Sequence, residues 1–231
     1  IRPRLDPVWL DTQYNNRARV PDHATVLASW ADASALARAH SPAQLDLRYG
    51  SGAGETLDVF PATAAGRAAA PVLVFIHGGY WRALDKSDSS FIAPSFVADG
   101  AMVVVPNYAL CPAVSVEDIA LQMVKAVVWT WHHAAAHGGN PDRMAIVGHS
   151  VGAHLAAMLL SCRWKQVDEA LPPQPLTGAL AISGLYDLEP IRRTEFLQGD
   201  LKLAPAQANR LRRALLPRLK AGKLHAVVGA D

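Results

Sequence analysis

From Pro71 onward the chain alternates short, largely apolar runs with longer amphipathic stretches. The runs are Val72–Ile76, Met102–Val105, Met144–Val147, Leu176–Ile182 and Leu224–Val228. Runs rich in Val, Ile and Leu with no polar alternation suit strands buried on both faces, which predicts a parallel sheet with helices on each side. Two earlier segments, Gln44–Tyr49 and Glu55–Phe60, flank the turn signal Gly50-Ser51-Gly52-Ala53-Gly54 and predict a leading antiparallel hairpin. Before them, Pro7 to about His40 reads as a polar turn and then a helix, with Val26, Leu27, Trp30, Ala33, Leu36 and Ala37 at helical spacing. The longest helix is predicted to start at a capping box, Ser115-Val116-Glu117-Asp118, and to carry Ile119, Met123, Val127 and Trp131 on one face. Gly138-Gly139-Asn140-Pro141 is expected to end it.

Length and composition fit one α/β domain over 1–231: there are 231 residues, 51% hydrophobic and 18% charged, enough apolar material for one sizeable core. The formal net charge of +2 is too small to argue for nucleic acid or an acidic membrane as a partner. The basic run from Arg210 and Arg212 through Arg213, Arg218, Lys220 and Lys223 reads as a solvated face. Cys111 and Cys162 share no ligand spacing with other Cys or His, so no metal site is expected and both are read as free thiols in a reducing compartment. With no long apolar span and no secretory leader, the expectation is a cytoplasmic protein that binds a small molecule, and a homodimer stays open.

The chemistry is concentrated where strands end. Met144–Val147 runs into Gly148-His149-Ser150-Val151-Gly152, and Ala153–Leu160 then reads as a helix. Strand, tight turn and helix around G-x-S-x-G is the context a serine nucleophile needs. The serine sits on a strained turn, glycines remove the side chains that would collide, and the helix start faces developing charge. A second strand, Val72–Ile76, exits into His77-Gly78-Gly79-Tyr80-Trp81. Backbone N–H groups freed there can converge on a carbonyl oxygen as it turns negative, joined by the N–H that follows the nucleophile. Gly79, Tyr80 and Val151 are the expected donors, with Gly78 making the turn and His77 orienting the loop. Tyr80 and Trp81 are read either as packing or as a wall for an aromatic or acyl group.

A serine of this type needs a histidine and a carboxylate that fixes its tautomer, in the chain order Ser, acid, His. Asp231, after the last strand, is preferred as the acid over Asp187, which is read as a cap or loop anchor. All nine histidines precede Asp231. The triad histidine is therefore expected on a carboxyl-terminal continuation, and residues 1–231 alone are expected to be nearly inactive.

With these segments in place, the chain resembles the arylformamidase (kynurenine formamidase)-like esterase branch of the α/β-hydrolases. Leu10-Asp11-Thr12-Gln13-Tyr14-Asn15-Asn16-Arg17, Ser183-Gly184-Leu185-Tyr186-Asp187-Leu188 and Val227-Val228-Gly229-Ala230-Asp231 add to the likeness. The resemblance implies an α/β-hydrolase fold with an amino-terminal segment over the active site. It also implies Ser150 as nucleophile, Asp231 as acid, HGGYW as oxyanion loop and no cofactor. The implied activity is hydrolysis of a small ester or amide such as N-formylkynurenine. The alternatives are a carboxylesterase with another substrate and a ligand-binding scaffold without its base.

Overall fold

The computed structural model describes residues 5–62, 69–212 and 222–229. Among these residues seven strands form one sheet: β1 (Gln44–Arg48), β2 (Thr56–Phe60), β3 (Ala70–Ile76), β4 (Met102–Pro106), β5 (Gly139–His149), β6 (Leu176–Ile182) and β7 (Lys223–Val227). Their order is β1-β2-β4-β3-β5-β6-β7. The first three in that order pair antiparallel, and β4, β3, β5, β6 and β7 run parallel. Parallel pairing brings the carboxyl ends of β3, β5, β6 and β7 to one edge, the side on which open α/β sheets hold ligands.

The apolar runs divide by the pleat into two cores. Val72, Val74, Met102, Val104, Met144 and Ile146 are buried on one face beneath α5 (Val116–His133) and α6 (Val151–Leu159). On the other face Phe60, Phe75, Val103 and Val105 pack against Ala93 and Val97 of α4 (Ala93–Ala98). The capping box that opens α5 is present, with the Asp118 N–H donating to Ser115 Oγ at 3.1 Å and the Ser115 N–H to Asp118 Oδ2 at 2.9 Å. Ile119, Met123 and Val127 are buried, each contributing about 1.5–3 kcal/mol by leaving water.

Three predicted elements came out differently. The helix that begins at Ser115 stops at His133 and tightens into a 3-10 turn capped by Gly138 at φ 80°. Gly139-Asn140-Pro141 already belongs to β5, where Gly139 pairs with Ala70. β7 is a strand, as its apolar run requires, yet all its residues are exposed because among the described residues only β6 pairs with it. The amino-terminal segment is three helices, α1 (Pro7–Tyr14), α2 (Asn16–Arg19) and α3 (His23–His40). On α3 only part of the expected stripe packs inward: Ala37 is buried, together with Ser34 from outside the stripe, while Leu36 is 61% exposed. The close approach of α3 to the 3-10 turns Lys86–Asp88 and Ser90–Ile92 selects those small residues, and Ser34 Oγ accepts the Phe91 N–H at 3.0 Å.

Among the described residues the remaining helices follow α6: α7 (Trp164–Val167), α8 (Leu188–Arg193), α9 (Glu195–Leu201) and α10 (Pro205–Arg210). Asp11 of α1 accepts the Glu195 N–H of α9 at 2.7 Å, so the first helix is tied to a segment 184 residues away.

Candidate active site

Ser150 stands between the end of β5 and the start of α6 with φ 57° and ψ −113°. Such a conformation costs on the order of 1–3 kcal/mol in an L residue and persists only where the surroundings dictate it. Here they do. The Ser150 N–H donates to Ile182 O at 2.8 Å, holding the turn to the end of β6, and the Ser183 N–H repeats the step onto Val227 O at 2.8 Å. A Cβ on Gly148 would overlap the Gly152 carbonyl, and one on Gly152 would overlap Ile76 O. The two glycines are therefore required by backbone contact on both sides of the serine. Val151, fully buried, begins α6, whose first N–H groups have no carbonyl behind them.

The loop after β3 crosses in front of this turn. Gly79, Tyr80 and Trp81 all have positive φ, at 112°, 50° and 57°. Gly79 O accepts the N–H groups of Arg82 and Ala83 at 3.1 and 3.0 Å. Side chains pin the strained turn from outside: the Tyr80 hydroxyl donates to Tyr14 O at 2.7 Å, and Arg82 donates to Phe196 O at 3.0 Å and pairs with Asp200. Burial raises the Tyr80 phenol to about 12, so it stays a donor at neutral pH. His77 is buried behind the loop, stacked on Tyr108 with ring centroids 4.2 Å apart. Desolvation pushes its pKa below the ordinary histidine value and keeps it neutral.

Ser150, Gly79, Tyr80 and His149 share a cavity of about 200 Å³ with Leu27 and Trp30 of α3. A second cavity of about 290 Å³ adjoins it through Leu27, Trp30, Leu84 and His149, and ends at Phe75, Phe91 and Ile182. Trp30 stacks on Phe91 at 5.4 Å and meets His149 edge-on at 6.2 Å, which makes the wall aromatic. Burial lowers the His149 pKa, so this wall carries a neutral imidazole.

Ser150, Gly78, Gly79, Tyr80 and Val151 come together here, but Trp81 does not join the wall. It is fully buried, turned under the loop and edge-on to His154 at 5.5 Å. The left-handed turn directs successive side chains to opposite sides, so Tyr80 faces the cleft and Trp81 the core. Trp30 and Phe91 supply the wall instead; Trp30 stood in the sequence as one member of an apolar stripe. Asp187 caps α8 by accepting the Glu189 N–H at 3.1 Å and pairs with Arg212, so its carboxylate is engaged. Asp231 lies outside the described residues, as do Arg213, Arg218 and Lys220 of the basic run. Two histidines near the elbow are committed elsewhere. His23 lines the cleft but its Nδ1 lies 3.0 Å from Val20 O, and the Nε2 of buried His154 lies 2.8 Å from Leu211 O. Both cysteines are free. Among the described residues no cluster of His, Cys, Asp and Glu could hold a metal, and no helix is long and apolar enough to cross a membrane.

A mostly parallel sheet with an antiparallel leading pair, a strained serine elbow and a glycine loop facing it together define an α/β-hydrolase. Over residues 57–188 the chain matches the BD-FAE family model. It is 33% identical over 224 residues to a kynurenine formamidase of Salmo salar, covering 95% of this chain and 72% of that protein. It is 36% identical over 179 residues to a kynurenine formamidase of Danio rerio, covering 77% and 58%. A Silicibacter sp. tm1040 crystal structure, provisionally described as a thioesterase, superposes with a TM-score of 0.82 at 29% identity over 95% of this chain and 79% of its own. The chain belongs to the BD-FAE family, in the arylformamidase and esterase branch of the α/β-hydrolases.

Proposed function

We propose that the protein hydrolyses a small ester or amide through an acyl-enzyme on Ser150. The observation that carries this reading is the strained Ser150 backbone, enforced by Gly148 and Gly152 and set in one cavity with Gly79 and Tyr80. Ser150 Oγ attacks the carbonyl while a histidine oriented by Asp231 takes its proton. The oxyanion is received by the N–H groups of Gly79, Tyr80 and Val151. The proton passes to the departing alcohol or amine, and water then releases the acid and restores the serine. The scheme calls for no metal or organic cofactor.

The aromatic wall of Trp30 and Phe91 supports a flat leaving group, and relatedness to kynurenine formamidases supports an aryl formamide such as N-formylkynurenine. An aryl ester is the second reading, supported by the roomy adjoining cavity of about 290 Å³. The two free cysteines support a cytoplasmic location.

Fluorophosphonate labelling of the full-length protein, with peptide mapping, tests the nucleophile. Labelling at Ser150, and turnover abolished by Ser150→Ala, are expected. The ratio of N-formylkynurenine to p-nitrophenyl acetate turnover then chooses between formamidase and esterase. No labelling and no turnover would leave a ligand-binding scaffold.

A further inference from the structure

The HGGYW loop has a supporting partner that no motif announces. Tyr108, just beyond β4, is 2% exposed, and its hydroxyl lies 2.9 Å from Gly78 O and 3.1 Å from His77 O; the shorter contact makes Gly78 O the acceptor of its single proton. His77 Nδ1 lies 2.8 Å from the same oxygen. A carbonyl has two acceptor sites, and these two donors fill both. Both His77 ring nitrogens face an acceptor oxygen, Nδ1 at 2.8 Å from Gly78 O and Nε2 at 3.3 Å from Asn107 Oδ1; the neutral ring has one N–H, and the shorter contact assigns it to Nδ1. Asn107 is itself immobilised: its Nδ2 donates to Asp85 Oδ2 at 2.6 Å and its Oδ1 accepts the Lys86 N–H at 3.2 Å.

The consequence lies in the next bond. The Gly78–Gly79 peptide is trans, and in a trans peptide C=O and N–H point in opposite directions from one rigid plane. With Gly78 O held inward by two buried side chains, the Gly79 N–H is aimed outward, into the cavity that Gly79 shares with Ser150. Glycine at both positions leaves rotation about the flanking bonds cheap, so the surroundings must supply the orientation.

We infer that Tyr108, acting with His77 on the Gly78 carbonyl, is a positioning residue that orients the Gly79 N–H toward the oxyanion. This rests on the proposed role of Ser150 and adds to it a residue that never touches substrate. Loosening the peptide weakens a donor that matters most when the oxygen is negative. The effect therefore falls on kcat and spares KM.

Tyr108→Phe in the full-length protein tests this. It keeps the ring stacked on His77 and removes only the hydroxyl. Deleting an oxyanion donor outright costs roughly 10²–10³ in kcat; misdirecting one that retains His77 as a guide is expected to cost about tenfold. KM should stay within about twofold, the fluorophosphonate labelling rate of Ser150 should fall with kcat, and an aldehyde or boronate analogue of the tetrahedral intermediate should bind correspondingly weaker. Thr130→Val is the control. It deletes another fully buried hydroxyl, which donates to Ala126 O at 2.7 Å within α5, and should alter stability while leaving kcat within about twofold. Unchanged kcat and labelling in Tyr108→Phe, or a loss matched by Thr130→Val, would overturn the positioning role while leaving the hydrolase intact. Wild-type protein that neither labels nor turns over would overturn both.

Discussion

Trp30 and His149 meet edge to face, with ring centroids 6.2 Å apart and planes at 88°. Trp30 belongs to the amino-terminal helix α3, and His149 immediately precedes Ser150. The cleft is therefore closed by a segment outside the strand–helix repeat, and its shape depends on how firmly α3 is docked. Three contacts hold the helix in place: Trp30 stacks on Phe91, Ser34 accepts the Phe91 N–H, and Arg38 pairs with Asp58 of β2.

Removing the Trp30 ring tests whether this wall binds substrate. Each aromatic pair contributes about 0.5–1.5 kcal/mol, and the half-buried ring contributes modestly to the core. Trp30→Ala is expected to raise KM for an aryl ester by about five- to tenfold while kcat for a small acetyl ester changes little, since 1.4 kcal/mol is about tenfold. Steady-state kinetics on the paired substrates would show it. An unchanged KM for the aryl ester would place the substrate elsewhere in the cleft.

The glycines of the elbow make a sharper prediction about stability. A methyl group at Gly152 meets Ile76 O, and one at Gly148 meets the Gly152 carbonyl, in both cases backbone that cannot rotate away. Overpacking in a closed core costs about 1–3 kcal/mol even where side chains can adjust. Gly152→Ala and Gly148→Ala should each lower Tm by several degrees and abolish labelling of Ser150. Gly138→Ala is the contrast: no atom lies within 4 Å of its added methyl, so it should cost only what its positive φ of 80° demands.

These glycines show how much of the site the sequence could carry. Gly148, Ser150 and Gly152 were legible because a strand-turn-helix crossing leaves so few residue choices that spacing alone encodes geometry. Leu176–Ile182 was legible for a related reason: a strand between two neighbours needs a run that is apolar on both faces, and only Thr177 interrupts it. The sequence leaves Trp81 open between packing and wall, and it packs: three consecutive positive φ angles set which way the loop's side chains face, and nothing in HGGYW announces that. Trp30 and Tyr108 were passed over because their roles arise from tertiary contacts, with His149 and Phe91 in one case and with Gly78 in the other. Local periodicity does not contain such contacts.

The charge cluster beneath α3 predicts an asymmetry between buried and exposed ion pairs. Asp58 is fully buried; it accepts from Lys86 Nζ at 2.7 Å and pairs with Arg38, while Lys86 is 3% exposed and also bonds Asp46 at 2.7 Å. Removing Asp58 leaves the buried Lys86 ammonium with only the exposed Asp46 as counter-charge, so Asp58→Asn is expected to cost about 3 kcal/mol. Asp58→Asn combined with Lys86→Met should recover part of that loss, because the under-compensated buried ammonium is gone. The Arg210–Glu117 pair is solvent-exposed, and Arg210→Ala should cost less than about 1 kcal/mol. Urea titration of the four proteins measures all three differences. A single Asp58→Asn as mild as Arg210→Ala would mean that the cluster is hydrated.

Tyr80 gives the oxyanion turn a predictable limit at alkaline pH. Its phenol is raised from an ordinary 10.0 to about 12, first by burial and then by the neighbouring Tyr14. In the unfolded chain Tyr80 ionises near 10, whereas the folded protein holds the proton until about 12. Between those values the unfolded state binds fewer protons, so stability is fully present below pH 10 and falls as pH rises through that window. Tyr80→Phe removes this contribution. It also deletes the hydrogen bond to Tyr14 O, so it should be less stable at pH 8 but lose less on going from pH 9 to 11. Urea unfolding across that range, with phenolate absorbance followed in parallel, tests both parts. If the two proteins lose stability in parallel, Tyr80 titrates freely, and its hydroxyl cannot be what anchors the turn to α1.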